Sequence, residues 1–549
     1  MQIQEIHLPF DVPLLPSRVL SAGNLTCLYE NGTLRCIQVN GQEVIQMIYS
    51  AVRDERWQTA PYAITDEVIQ ETENGFTISY IATYRLGAVE YKAAIAIEGK
   101  NNSISYSMNG MALHEFKTNR IGLCVLHPIA ACTGRQVVIT QPDGTTYKST
   151  FPERISPHQP FKQVQQMDWT TATGLQATLI FEGDIFETED QRNWTDASYK
   201  TYSRPLELPF PFIVQKGERM AQSITLNIST ESKGGPNTNQ NAFAETKMLF
   251  PAVGYSRPKG SKQLTADEIE LLRELPFDHY RIELHLNEAD WESELGNAVS
   301  EAKALATKLE LLVFFGVDIE NELKKVVQKL TPVINYVTSI LPLHHQQNIT
   351  PHIMFARMYG ALKTGLPGIK VGYGTDRFFA EVNRNRPEDI SHDFVSYSLN
   401  PQVHAVDTRS IIENLAAQQD TIATAWSFTG NKPVHISPVT LKIRGNADPV
   451  LEIDNRLHTS FGAWWTLQTI KNLGEASSIT LYETKGAKGI IPANCSRDLL
   501  PPLYSVLVAI KSFKPVCIIN KNAEGKNLFV AENKDGNQLV FVSDLMPPP

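Results

Sequence analysis

The chain has 549 residues, 42% hydrophobic and 20% charged, with 50 Lys and Arg against 59 Asp and Glu for a formal net charge of -9. This is the composition of a folded protein with chain enough for more than one core, and it excludes a disordered tail, a collagen-like fibre and a disulfide-stapled miniature. The acidic balance argues against a general electrostatic grip on nucleic acid, and no run approaches the roughly 18 apolar residues of a membrane span.

The opening run MQIQEIHLPFDVPLLPSRVL carries Glu5 and Asp11 and has no basic segment followed by an apolar one, so it does not read as a secretory signal. The first 240 residues or so read as β-structure. Leu25–Tyr29, Leu34–Val39 and the turns Asn31-Gly32 and Asn40-Gly41 predict a meander, because Asn-Gly supplies the left-handed backbone of a tight hairpin. Further alternating runs at Gly75–Tyr84, Ala93–Glu98, Ser103–Met111, Gln136–Thr140, Leu175–Phe181 and Ser223–Ile228 predict an antiparallel β-sandwich over residues 1–240. The polar, Gly- and Asn-rich stretch Lys233–Asn241 reads as a linker.

Beyond it, strand-like runs alternate with amphipathic ones. The strands are expected at Leu249–Tyr255, His279–Leu286, Leu309–Gly316, His352–Arg357, Ile369–Thr375, Phe394–Asn400, Pro433–Leu441 and Ser478–Thr484. Helices are expected at Thr265–Leu275, opened by the capping-box pair Thr265 and Glu268, and at Glu292–Lys308, Ile319–Leu330, Thr408–Asn414, Thr459–Asn472 and Pro502–Phe513. Eight such alternations predict a (β/α)8 TIM barrel over residues 245–515. Val516–Asn520, Leu528–Glu532 and Gln538–Val542 predict a small C-terminal β appendage over 516–549. The six cysteines form no CxxC pair, so reduced thiols in a cytoplasmic protein are expected and no zinc site.

In a barrel the chemistry sits at the C-terminal ends of the strands, and outward positions are apolar because helices cover them. On the second strand Tyr280, Ile282 and Leu284 then face out, and Arg281, Glu283 and His285 face the lumen. On the sixth, Ser396, Ser398 and Asn400 face in; on the seventh, His435 and Ser437. His285 and Asn400 are nearer the mouth than Arg281, which reads equally as half of a buried ion pair with Glu283. The mouth loops add Glu381 after the fifth strand, Gln402 and His404 after the sixth, Lys442 and Arg444 after the seventh, and Tyr482 and Glu483 at the end of the eighth. Glu483 shares its phase with the outward Ile479 and Leu481, so only a turn of the chain would bring it inward. A second dense spot, Phe186–Tyr202, sets Trp194 to stack on a sugar ring and Arg192 to bind an anionic oxygen, if it lines a cleft rather than a solvated loop. No phosphate loop, HExxH, GxSxG or dinucleotide fingerprint stands in usable context, and neither a cofactor nor a metal is expected.

The run GDIFETEDQRNWTDASYKTYSRPLELPFP, with NRIGLCVLHP, FFAEVNRNRP and NPQVHAVD, resembles the D-apionate lactonase family, and the order of β domain, barrel and small β domain is similar along the whole chain. The resemblance implies hydrolysis of D-apionolactone to D-apionate in apiose catabolism. It brings no catalytic residue set. From the residues themselves we expect Glu381 or Glu483 as the base, His285 or His404 assisting, and Arg192 or Arg444 at the developing oxyanion. Glu283, Asn400, Gln402, Trp194 and Tyr482 would hold the substrate. The barrel also looks like those of clan-A glycoside hydrolases, so a two-carboxylate glycosidase is the second reading and a non-catalytic carbohydrate-binding protein the third. The expected partner is a small carbohydrate-derived substrate; the sequence does not reveal the oligomeric state.

Overall fold

The computed structural model describes residues 2–171, 174–229, 246–445, 448–493, 495–520 and 527–543, so the expected linker Lys233–Asn241 lies outside the described residues. The chain divides into two compact units: residues 14–192 and 197–240 form most of one; residues 1–13, 193–196 and 241–547 form the other.

The first unit is built from two nine-stranded antiparallel sheets. One runs from Phe161–Val164 through the long strands Phe116–Pro128 and Gln42–Asp54 to Arg18–Ala22. The other runs from Thr146–Thr150 through Arg219–Ser229, Ser103–Ala112, Val89–Lys100 and Gly75–Leu86 to Tyr62–Thr72. Strict alternation drives this packing. Tyr91, Ala93, Ile95 and Ile97 of Val89–Lys100 are buried, and the residues between them are exposed. Both Asn-Gly turns form with positive φ at each residue, Asn31 and Gly32, Asn40 and Gly41. The first is also clamped from within, because the hydroxyls of Tyr80 and Tyr106 donate to the Gly32 carbonyl at 2.6 and 2.8 Å.

In the second unit eight parallel strands close into a barrel, the first pairing with both the second and the eighth. We number them β1 (Ala252–Ser256), β2 (His279–His285), β3 (Lys308–Phe315), β4 (Val337–His344), β5 (Lys370–Gly374), β6 (Phe394–Leu399), β7 (Val434–Val439) and β8 (Ser478–Lys485). The capping box at Thr265 and Glu268 opens the first barrel helix, Ala266–Arg273.

Two of the eight expected barrel strands differ from the sequence expectation. The fourth strand is Val337–His344, and His352–Arg357 is instead the start of a helix, His352–Gly365, whose buried Phe355, Met358 and Leu362 follow helical spacing. Pro342 makes Val337–His344 an unpromising central strand. The barrel accommodates it by ending the β4–β5 ladder at Ile340, before the proline needs to donate. The expected run Leu249–Tyr255 also breaks in two, with Thr246–Leu249 leaving the barrel to pair with Pro515–Asn520. That pairing belongs to a five-stranded sheet containing all three C-terminal strands, closed by the N-terminal strand Ile3–Leu8 running parallel to Gln538–Ser543.

The lumen is polar where the alternation predicts. Ser437 Oγ donates to Glu310 Oε1 at 2.6 Å and lies 3.0 Å from Thr480 Oγ1, which meets His279 Nε2 at 2.7 Å. His435 Nδ1 stands 3.4 Å from the other Glu310 oxygen. Burial would raise the Glu310 carboxyl, but His435, His279 and Ser437 hold it down, to about 2. Gly254 makes room for this layer, since a Cβ there would sit 2.2 Å from the His279 carbonyl oxygen.

Among the described residues no disulfide joins any of the cysteines. Among the described residues no helix is long and apolar enough to cross a membrane.

Candidate active site

Above the lumen layer, at the C-terminal mouth of the barrel, lies a cavity of about 340 Å³. β2 contributes Arg281, Glu283 and His285, the three residues that alternation turns inward. Glu283 is the hub. Its Oε1 accepts from Arg281 Nη1 at 2.8 Å and from Arg444 Nη2, and its Oε2 lies 3.4 Å from His285 Nε2. Burial alone would raise this carboxyl; the Arg444 and Arg281 guanidiniums more than offset it and hold Glu283 well below the ordinary carboxylate range. Arg444 shows the reciprocal effect: burial would lower its pKa, and the carboxylates of Glu283, Asp376 and Glu483 keep it raised. The His285 ring stacks on Phe314, centroids 4.2 Å apart and planes 3° from parallel, which fixes its edge toward Glu283.

Glu483 reaches the same cavity against its strand phase. Tyr482 takes a left-handed backbone, φ 49°, and the β1–β8 register slips there, Gly254 pairing with Thr480 but Ser256 with Glu483. One residue is thereby skipped, as in a bulge, and every side chain after it changes face. Tyr482 is held in that conformation by a 2.8 Å hydrogen bond between its hydroxyl and Thr466 Oγ1. The Glu483 carboxyl lies 3.2 Å from Lys488 Nζ, which Glu452 Oε2 receives at 2.8 Å. Burial pushes the Glu483 pKa up, and Lys488 offsets only part of that. Two of the cavity's carboxyls thus differ in character: the guanidiniums hold Glu283 down, and burial pushes Glu483 up.

The other expected residues lie elsewhere. Glu381 is on the short helix Phe379–Arg384 and accepts from Asn348 Nδ2 at 3.3 Å; it does not line the cavity. His404 meets Asp196 Oδ2 through Nδ1 at 2.6 Å, and its ring faces Trp194 edge-on, centroids 6.3 Å apart. Trp194 in turn packs on Phe378, so this group forms a second cluster in the barrel unit, apart from the cavity lining. Asn400 and Gln402 build the loop after β6: Asn400 Oδ1 accepts from Gln402 N at 3.1 Å, and Gln402 Nε2 donates to the Leu441 carbonyl and Asp454 Oδ2, each at 2.6 Å. Arg192 is wholly buried in the sandwich unit, where Nε and Nη2 donate to Asp190 at 2.9 and 2.7 Å and Nη2 and Nη1 to the Pro152 and Glu153 carbonyls. A guanidinium so engaged has no edge left for an oxyanion.

Sequence reasoning overlooked Ser256, Glu452, Asp454 and Lys488, all of which line the cavity. The stretch Lys485-Gly-Ala-Lys-Gly489 after β8 was a visible signal, since two glycines around a lysine mark a tight loop carrying a cation. Among the described residues no group of three or more His, Cys, Asp and Glu is placed to hold a metal ion.

A parallel eight-stranded barrel with acid, base and cationic groups gathered at its C-terminal mouth has the plan of a barrel enzyme. Two family models match the chain: the N-terminal domain of D-apionate lactonase over residues 8–231 and the TIM-barrel domain of D-apionate lactonase over residues 253–515. The chain belongs to the D-apionate lactonase family. A D-apionate lactonase of Brucella anthropi is 30% identical over 451 residues, 78% of this chain and 73% of that protein. Among solved structures, an alpha-L-arabinofuranosidase from Thermotoga maritima is 11% identical, covers 53% of this chain and 81% of its own, and has a TM-score of 0.39. A GH30 endoxylanase from Clostridium papyrosolvens is 10% identical, covers 53% and 80%, and scores 0.37. Likenesses this slight transfer no glycosidase roles.

Proposed function

We propose that the protein opens a sugar-acid lactone by hydrolysis, D-apionolactone to D-apionate, within apiose catabolism, and that the chemistry takes place in the barrel-mouth cavity. Family membership supports the lactone, and the observation that carries the mechanism is the inward-turned Glu483 with its raised pKa. Glu483 takes a proton from water as the water oxygen attacks the lactone carbonyl carbon. The carbonyl electron pair moves onto the acyl oxygen, which becomes an oxyanion in a cavity lined by Arg281, Arg444 and Lys488. When the tetrahedral centre collapses, the bond to the ring oxygen breaks and Glu483 returns its proton to that oxygen, while the acid so formed releases water's other proton to solvent. The products are a carboxylate and a free hydroxyl. Glu283 keeps Arg281, Arg444 and His285 in place and stays ionised throughout.

The test is acid release from D-apionolactone, followed by pH-stat against spontaneous opening, with nitrophenyl glycosides run in parallel. Turnover of the lactone and none of the glycosides is the expected result. Nitrophenol release without lactone opening would replace this reading with the two-carboxylate glycosidase, for which the split between Glu283 and Glu483 is equally apt.

A further inference from the structure

Among the described residues, Ser256 and Arg281 are the buried side chains that both line the cavity and carry polar atoms without a hydrogen-bond partner. Ser256 is 5% exposed and its Oγ is unmatched; Arg281 is 2% exposed, and although Nη1 holds Glu283, Nε and Nη2 are unmatched. A buried donor without an acceptor is costly, and more so when charged, so two of them on adjacent strands in a binding cavity need an explanation.

Their position supplies one. Ser256 is paired with Arg281 of β2 on one side and with Glu483 of β8 on the other. The three residues therefore occupy one level of the barrel on adjacent strands. Two strand spacings, about 10 Å, separate the Arg281 and Glu483 backbones. Glu483, with its proton-accepting carboxyl, stands on one flank; the unspent donors stand on the other.

We propose that Ser256 Oγ and the Nε–Nη2 edge of Arg281 receive the acyl oxygen of the lactone and retain it as it becomes the tetrahedral oxyanion and then one oxygen of the product carboxylate. This inference rests on the lactonase reading and names its oxyanion-binding groups. As Glu483 removes a proton from the attacking water, the new carbon–oxygen bond forms and the carbonyl π pair moves onto the oxygen facing Ser256 and Arg281. On collapse the ring carbon–oxygen bond breaks, the ring oxygen takes the proton, and the acyl oxygen keeps a share of the carboxylate charge. Because the charge appears only after attack, the two residues bind the transition state and the product more tightly than the neutral lactone.

The experiment measures kcat and KM for D-apionolactone and the inhibition constant of D-apionate in the wild type and in Ser256→Ala, Arg281→Gln and Arg281→Lys, with thermal unfolding as the check on folding. Arg281→Gln is expected to lower kcat by about 100-fold or more, as loss of an oxyanion donor does, with little change in KM and a parallel weakening of product inhibition. Ser256→Ala is expected to lose about tenfold in kcat, and Arg281→Lys to recover part of the loss. A folded Arg281→Gln or Ser256→Ala protein with wild-type kcat and unchanged product inhibition overturns the assignment. Calorimetric titration with D-apionate separates this from failure of the lactonase reading. If the wild type binds the acid but opens no lactone, the lactonase reading falls. In that case weaker binding by Arg281→Gln still supports the anion site, and equal binding by both removes it.

Discussion

The arginine–carboxylate pairs Asp190–Arg192 and Arg281–Glu283 look alike in sequence, each two residues apart. In the sandwich unit, Arg192 grips both oxygens of Asp190 and spends its remaining donors on the Pro152 and Glu153 carbonyls. In the barrel, Arg281 spends only Nη1 on Glu283 and leaves the rest of its guanidinium unmatched beside the cavity. Even the carboxylates differ. Burial outweighs Arg192 and leaves the Asp190 pKa raised, while Arg444 and Arg281 together overcome burial at Glu283 and drive it down. A closed network of donors and acceptors holds a fold together; an open one has capacity left for a ligand.

Two substitutions sharpen that contrast. Arg192→Met removes the cationic partner of the fully buried Asp190 carboxyl, and is expected to destabilise the sandwich unit by about 3–5 kcal/mol, the cost of breaking a buried pair. Urea unfolding reads that loss, and the folded fraction should keep kcat within about twofold. A stable Arg192→Met protein with collapsed turnover would instead put Arg192 in the chemistry. Lys488→Met has a smaller effect, visible in the pH dependence. Lys488 lowers a Glu483 pKa that burial has raised, so removing the cation raises it further. A base must be deprotonated to act, so the acid limb of the kcat profile should move to higher pH. A limb that stays put, or moves down, means that Glu483 does not set it.

The barrel and the inward face of β2 were legible because a period of two fixes which side chains meet the lumen, and Arg281, Glu283 and His285 follow from it directly. Where that period is broken, the sequence misleads. Glu483 has the outward phase of Ile479 and Leu481, and nothing in the residue types around Tyr482 announces a left-handed backbone there. Pro342 disguised β4, and the apolar start of His352–Gly365 took its place in the count. Trp194, Arg192, His404 and Gln402 looked functional for a sound chemical reason, since aromatic, cationic and amide groups do bind sugars. Each has partners of its own far along the chain, and such tertiary satisfaction is invisible in sequence.

The central claim is that Glu483, turned into the cavity at Tyr482, is the base that opens the lactone. The most direct test compares D-apionolactone hydrolysis by Glu483→Gln and Glu381→Gln, two glutamates that the sequence could not rank. Glu483→Gln should lose about 100-fold or more in kcat, while Glu381→Gln, outside the cavity lining, keeps the wild-type rate. Wild-type turnover by Glu483→Gln, or a collapse confined to Glu381→Gln, would contradict it.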